Sequence, residues 1–548
     1  MSLRRLLLSV LVLGLVGLGA GFWMPRDDLF ALRKSFQIFG ALYEELVGGY
    51  VDPLNPERMM QTSIEAMLQD LDPYTTFYDE QANTEAEILN QGRYGGVGLS
   101  TALYEGRLTV VEPAEGSSAF RQGVRIGDVI TAIAGQPTAK MTLREAGRLL
   151  MGEPGTAVEI MVERVGEPEP LRFLLTRREA QTRNVGFSGF VGRDTTAGIG
   201  YIRLDRFMPG SAAEVRRALQ GLQQAGTLRG LILDLRDNPG GLLEDAVEIL
   251  SLFVPAGTPV VTMRGRLPQS EQAFRSRQPP LAPDLPVVVV VNGVSASASE
   301  IVSGAMQDLD RGVILGTTTF GKGLVQIVRP LPYNTALKLT TARYYIPSGR
   351  SIQAIDYGIH DGSTTTIPDS LRRTFRTAHG RMVKDGRGIE PDVMLASDEK
   401  SALEEALDRR AAFFFYANHY ATTHPTLEPA FAVTEAVLQD FQAWLQTQHF
   451  AYATPTEHAM ETLLQQMKAT GYEARRETEA LQQALMRQKA ADFSRHAERL
   501  KARLHTEILA RYHSEQARLE AALTTDPLLV EATRLLQNPS AYQRLLRP

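Results

Sequence analysis

The chain has 548 residues, 43% of them hydrophobic and 22% charged. That is ordinary globular composition, in an amount that calls for roughly two to four domains rather than one core. A net charge of −5 and a pI near 6.1 leave no basic surplus for nucleic acid, and the lack of any cysteine excludes a thiol nucleophile, cysteine-containing zinc sites, disulfides and a bacterial lipoprotein anchor while leaving the compartment open.

Arg4 and Arg5 precede an apolar run from Leu6 to about Met24, so residues 1–24 have the form of a signal peptide or a single membrane anchor. Leu18 fits poorly at the outer small-residue position of a cut before Gly21, and Trp23, Pro25 and Arg26 resemble the interfacial end of a span. An uncleaved anchor is therefore expected, with export and cleavage as the alternative. Either way the bulk of the chain lies outside the cytoplasmic membrane, in the periplasm or its equivalent.

Residues 25–90 read as a helical segment. Leu29, Leu32, Phe36, Phe39, Leu42 and Leu46 follow helical spacing, as do Met60, Ile64, Met67, Leu68 and Leu71, with turns at Asp52-Pro53 and Asp72-Pro73. Over 91–179 the texture changes to short strands (Leu108–Val111, Val129–Ala134, Val158–Val162, Leu171–Leu175) and one helix, Thr142–Met151. Its opening, Tyr94-Gly95-Gly96-Val97-Gly98-Leu99, puts glycines in front of a strand, where backbone amides can converge on an anion or merely serve turn geometry.

Residues 180–397 look α/β. Gly198–Leu204, Gly230–Leu235 and the five-valine run within Pro286–Val291 read as buried strands, with helices at Ala212–Gln224 and Leu242–Phe253 between them. An irregular stretch rich in Thr, Arg and Gly occupies 354–386, before order returns at Gly388-Ile389-Glu390-Pro391-Asp392-Val393. Residues 398–548, rich in Ala, Glu, Gln, Arg and Leu, read as a helical extension in which 475–522, almost free of Gly and Pro, should form long helices that pack on the enzyme or on themselves and offer a surface for self-association.

Lys322 stands out from this background. The chain has 9 lysines against 49 arginines, and Lys322 is the only lysine between Lys140 and Lys338. Arginine does not lose its proton in proteins, whereas a buried amine can become neutral and act as a base. Lowering an amine from about 10.4 to near 7.5 costs roughly 4 kcal/mol, and burial between Gly321 and Gly323 could impose it; a charged lysine holding a carboxylate is the alternative. Lys322 follows by 25 residues the middle serine of Ser295-Ala296-Ser297-Ala298-Ser299-Glu300, a run between the valine strand and the apolar helix Ile301–Met306. A nucleophile at such a turn has the helix start behind it and the next amide, Ala298, aimed at a developing oxyanion; three capping serines are the plain alternative. Asp234-Leu235-Arg236-Asp237-Asn238-Pro239-Gly240-Gly241 ends a second strand in glycine amides that could supply another oxyanion donor. All nine histidines lie at or after His360, and no pair has ligand spacing near an acid in the core, so neither a Ser–His pair nor zinc finds support.

With Tyr94–Leu99, the run Val124-Arg125-Ile126-Gly127-Asp128-Val129-Ile130 resembles a PDZ domain, whose glycine loop receives a peptide's C-terminal carboxylate while the peptide adds as a strand. Tyr94–Leu99, Leu233–Arg236 with Pro239–Gly241, Ser295–Glu300, Phe320–Gly323 with Gln326, and Gly388–Val393, in that order, resemble the carboxyl-terminal processing (tail-specific) proteases. The resemblance runs from about Tyr50 to Val393. It implies a multidomain α/β chain made of an N-terminal anchor and helices, a PDZ domain, an α/β protease core and a helical extension. It further implies a serine endopeptidase that needs no cofactor or metal and binds protein substrates by their C-terminal tails. By the same resemblance Ser297 is the nucleophile, Lys322 the general base and Gln326 the residue that orients it. Ala298 and a glycine of the Gly240-Gly241 pair form the oxyanion hole, Asp308 is supportive or structural, and Gly95, Gly96, Val97, Gly98 and Leu99 form the peptide-binding loop. The insert 354–386 and the helical extension depart from much of the family. From another functional class, a PDZ adaptor on a retired protease scaffold is disfavoured by the retained Ser297 and Lys322, and a hydratase-type activity by the PDZ.

Overall fold

The computed structural model describes residues 26–84, 95–179, 183–192, 197–266, 270–357, 365–395, 400–428, 431–472 and 474–548. Residues 1–24, where the anchor or signal peptide is expected, lie outside them, as do Tyr94 and His360. Among the described residues no helix is long and apolar enough to cross a membrane.

The chain divides after Phe77 into two compact units. The first holds helices α1 (Arg26–Gly49) and α2 (Pro56–Gln69), which carry the expected apolar spacing. Asn55 caps α2 by accepting from the Arg58 N–H (3.0 Å), and Pro56 occupies the first turn, where its missing N–H costs nothing.

The second unit opens on an antiparallel sheet of β1 (Leu99–Tyr104), β2 (Arg107–Pro113), β3 (Val129–Ile133), β4 (Ala157–Glu163) and β5 (Leu171–Thr176), in that spatial order. β4 alternates buried Val158, Ile160 and Val162 with more exposed neighbours, as a sheet with one solvated face requires. Helix α3 (Leu143–Leu150) packs against β1 and β3, and starts at a capping box between Thr142 and Glu145. β1 has β2 on one side and forms an edge of the sheet.

The larger sheet runs β6 (Val185–Phe190), β7 (Ile199–Leu204), β8 (Gly230–Asp234), β11 (Val287–Val291), β12 (Val313–Gly316) and β15 (Val393–Met394); β9 (Pro259–Gly265), β10 (Gln272–Arg275), β13 (Leu324–Leu331) and β14 (Thr335–Tyr345) belong to a second, antiparallel sheet. Apart from the antiparallel pair β6–β7, the larger sheet is parallel. All five valines of β11 are buried because both faces are covered. Val287, Val289 and Val291 pack with α4 (Ser211–Ala225), α5 (Leu243–Leu250) and α6 (Ala298–Asp308).

Val288 and Val290 face the other way, onto Leu529, Leu535 and Tyr542. These belong to α14 (Pro527–Gln537) and α15 (Pro539–Leu545), the end of a helical domain that also contains α7 (Ala402–Arg409), α8 (Ala412–Thr423), α9 (Glu435–Thr447), α10 (Pro455–Thr470), α11 (Arg475–Ala490), α12 (Ala497–Leu509) and α13 (Glu515–Ala522). The Tyr542 hydroxyl accepts from the Val287 N–H (3.0 Å) and donates to its carbonyl (2.9 Å), stitching the last helix to the central strand. What reads in the sequence as an extension is thus partly a layer of the catalytic core. Burying each of Leu529, Leu535 and Leu536 contributes about 1.5–3 kcal/mol.

Short strand pairs, backbone hydrogen bonds and ion pairs hold the described residues of the irregular stretch 354–386. Arg381 bridges Asp310 (2.6 Å) and Asp392 (2.5 Å), and Thr374–Arg376 pairs with Met382–Lys384.

Candidate active site

Ser297 forms the turn between β11 and α6, with φ 55° and ψ −111°. A residue with a Cβ pays about 1–3 kcal/mol for such a backbone, and the surrounding contacts hold it there. The neighbouring serines are used as scaffold: Ser295 Oγ donates to the Leu235 carbonyl (2.8 Å) and Ser299 Oγ to the Asn238 carbonyl (2.9 Å). Asn238, completely buried, also accepts from the Ala296 N–H (3.1 Å), so the Asn-Pro-Gly-Gly loop is clasped to the serine run.

The glycine pair in that loop is fixed by close approach. Gly240 has φ 93°, and a Cβ there would lie 2.5 Å from the Ala296 carbonyl oxygen, 2.8 Å from the Ala298 nitrogen and 2.9 Å from Ser297 Cβ. Its N–H donates to Asn238 Oδ1 (2.9 Å). Gly241, at φ 146°, has the Phe207 carbonyl oxygen 2.0 Å from where a Cβ would sit. Ala298 begins α6, where backbone N–H groups lack partners within the helix.

The loop between β12 and β13 brings the Lys322 backbone to the same serine run. The Phe320 N–H donates to the Ser295 carbonyl (3.0 Å), which seats the loop on the serine run. Both flanking glycines are required by residues 353–354: a Cβ on Gly321 (φ 87°) would lie 2.3 Å from that of Ala354, and one on Gly323 would lie 2.8 Å from the Gln353 nitrogen. The Gly323 N–H donates to Gln353 Oε1 (2.8 Å), whose Nε2 donates to the Ile355 carbonyl (2.8 Å). Gln326 lies on β13, where its Nε2 donates to Thr340 Oγ1 (3.1 Å) beside a register shift in the β13–β14 pair.

Between the two segments lies Glu300, completely buried. It accepts from the N–H groups of Ser297 (2.8 Å), Gly321 (2.7 Å) and Lys322 (2.9 Å) and from the Thr319 hydroxyl (2.6 Å). Burial raises its carboxyl above the ordinary value, with these four bonds opposing the shift. Glu300, Thr319, Asn238 and Gln353 had no role in the sequence reading, although Ser297-x-x-Glu300 has the spacing of a capping box.

Asp308 sits at the far end of α6. It pairs with the buried Arg350 (2.9 Å) and accepts from the Ser348 N–H (2.9 Å). At the end of β8, Asp234 takes the Tyr201 hydroxyl (2.9 Å) and Arg236 (2.6 Å), and Arg236 reaches on to Asp526 (2.6 Å), the cap of α14. The phenol of Tyr201 is pushed up by burial and by Asp234.

In a separate two-stranded sheet Gly95 pairs with Glu179 and Gly96 with Arg178, and Gly98 takes φ 76° against Ser117. The carbonyls of Val97 and Gly98 accept from the Ala119 and Ala114 N–H groups (3.2 and 2.8 Å). Leu99 then begins edge strand β1 beside α3. Val97 is buried, and Leu99 packs against the domain's core.

Residues 198–362 match peptidase family S41, residues 109–164 a PDZ domain, and residues 403–536 a family described as a probable PDZ-protease, C-terminal helical domain. A carboxy-terminal-processing protease of Bartonella bacilliformis is 35% identical over 325 residues, covering 59% of this chain and 73% of its own. A carboxyl-terminal-processing protease of Synechocystis sp. is 35% identical over 306 residues, covering 55% and 70%. Among solved structures, the photosystem II D1 C-terminal processing protease is 27% identical with a TM-score of 0.38, covering 64% of this chain and 85% of that one. An α/β core, a PDZ domain and relatives of this kind together make the chain a member of the carboxy-terminal processing proteases, serine-type peptidases of family S41.

Proposed function

We propose that the protein is an endopeptidase that binds the C-terminal tail of a protein substrate at the PDZ edge and cuts nearby with Ser297 and Lys322. The carrying observation is the strained Ser297 turn at the head of α6 with the Lys322 loop hydrogen-bonded onto the same serine run. In this reading the neutral Lys322 amine takes the Ser297 hydroxyl proton as Oγ attacks the scissile carbonyl. The oxyanion is held by the N–H groups of Ala298 and Gly241, since that of Gly240 is given to Asn238. The lysine ammonium then donates its proton to the leaving amine, and water hydrolyses the acyl-enzyme through the same two side chains. Gln326 steadies the amine. Asp308, tied to Arg350, acts structurally.

The tail adds as a strand along β1, its carboxylate received by backbone amides of the Gly95–Leu99 loop other than that of Gly95, which is given to the Gly152 carbonyl (2.9 Å). The carbonyls of Val97 and Gly98 are turned into the domain, which favours this orientation of the loop. The N-terminal run of residues 1–24 places the enzyme outside the cytoplasmic membrane, by an anchor or by export. Self-association falls to α10 and α11, where Leu463, Leu481 and Met486 stay exposed while α14 and α15 are spent on the core.

Cleavage of a folded protein bearing an unstructured apolar C-terminal tail, followed by intact mass, tests the catalytic part. Wild type should release a defined product, and Ser297→Ala and Lys322→Ala should release none. Equal cleavage by all three would discard the assignment. Sedimentation of the full chain with Leu463, Leu481 and Met486 each changed to Lys tests self-association, and a state unchanged from wild type would remove it.

A further inference from the structure

The two oxygens of Glu300 divide their donors in a definite way. Oε2 accepts from the N–H groups of both Ser297 (2.8 Å) and Lys322 (2.9 Å), and Oε1 from the Thr319 hydroxyl (2.6 Å) and the Gly321 N–H (2.7 Å). A helix cap requires only the bond to Ser297. The other three donors come from a different segment, 19 to 22 residues along the chain. Thr319 is held in turn, its N–H donating to the Ile389 carbonyl (3.1 Å) and its Oγ1 accepting from the Ile389 N–H (2.7 Å). A Cβ on Gly388 (φ 70°) would lie 2.7 Å from Thr319 Oγ1 and 3.0 Å from Glu300 Oε1. The Gly388–Val393 motif therefore closes over this carboxylate, which gives the motif a role that the catalytic chemistry alone leaves unassigned.

We infer that Glu300 is a positioning residue that holds the Ser297 turn and the Lys322 loop in register for proton transfer between them, an assignment that rests on the Ser297–Lys322 reading above. Among side chains of this size only a carboxylate fits, because each of its oxygens meets two donors. An amide presents one acceptor oxygen and turns an NH2 toward the remaining pair. The planar group makes the spacing of the two catalytic backbones a fixed quantity. Serine-to-lysine proton transfer needs heavy atoms within about 2.6–3.2 Å, and a displacement of about 1 Å can cost on the order of 100-fold in rate.

The test uses the full chain and a peptide with an apolar C-terminal tail. It measures kcat, KM, thermal unfolding and the rate at which a small fluorophosphonate labels Ser297. Glu300→Gln should lower kcat and the labelling rate about 100-fold with KM unchanged, and Thr319→Val about 10-fold, with Thr319→Ser restoring most of the loss. Thr319 lies outside the helix cap and Val keeps its volume, so Thr319→Val decides the matter if Glu300→Gln does not fold. Wild-type kcat and labelling in folded Thr319→Val and Glu300→Gln, with Ser297→Ala and Lys322→Ala inactive, would reduce Glu300 to a helix cap and overturn the inference alone. Cleavage that survives Ser297→Ala and Lys322→Ala would overturn the parent reading and this inference with it.

Discussion

The two main sheets of the second unit solve opposite problems. The PDZ sheet is antiparallel, alternates buried and solvated positions, and keeps β1 as an edge. The catalytic sheet is mainly parallel and covered on both faces, so that the β11–α6 turn can hold Ser297 at a positive φ. A surface that receives a strand must stay open, whereas a turn that stores strain must be clamped from every side. The helical domain serves both. α14 and α15 close the second face of the catalytic sheet, while Tyr104, at the end of β1, packs against Phe414 and Phe415 of α8 (ring centroids 5.2 and 5.5 Å) and Arg518 of α13 pairs with Glu112 of β2 (2.6 Å).

This contrast can be broken at several points. The largest effect is expected at the clamped turn. Gly240→Ala forces a Cβ against the Ala296 carbonyl, the Ala298 nitrogen and Ser297 Cβ and should lower kcat by about 1,000-fold or more, read in steady-state kinetics. Next, Leu535→Ala should destabilise the catalytic sheet by about 2–5 kcal/mol, read in denaturant unfolding. A loss confined to the helical domain would show that α14 is not a layer of the core. On the open side, Gly98→Ala, strained at φ 76° and pressed on Ser117, should raise KM about 10-fold for a tailed substrate and spare kcat. Tyr104→Ala removes two aromatic contacts and should cost about 1–3 kcal/mol, read in denaturant unfolding.

Periodicity and motif spacing made most of the strands, the helical regions and the two segments that meet at Glu300 legible. The five valines of β11 announced a strand buried on both faces, but nothing in them said that Val288 and Val290 would meet α14 and α15, more than 230 residues on. Helical composition near the C-terminus reads alike whether its apolar stripe faces another helix or a sheet. The described part of 354–386 reads as irregular because its strands are only two or three residues long and ion pairs such as Arg381 with Asp310 and Asp392 leave no periodic trace. Lys322 was visible as a compositional exception; the reason for its two glycines, the backbone at 353–354, was not. Glu300 stood inside a quoted motif, yet its partners lie in a different segment, and a capping-box spacing announces only the local bond.

The central claim is that Lys322 gives and takes a proton. Lys322→Arg tests it most directly, because arginine keeps the positive charge and much of the length but stays protonated at any working pH. Cleavage of the tailed substrate should be as absent in Lys322→Arg as in Lys322→Ala, and the wild-type rate should rise with pH as the amine loses its proton. Substantial activity in Lys322→Arg, or a rate that does not rise with pH, would contradict the claim and leave Lys322 as a fixed charge.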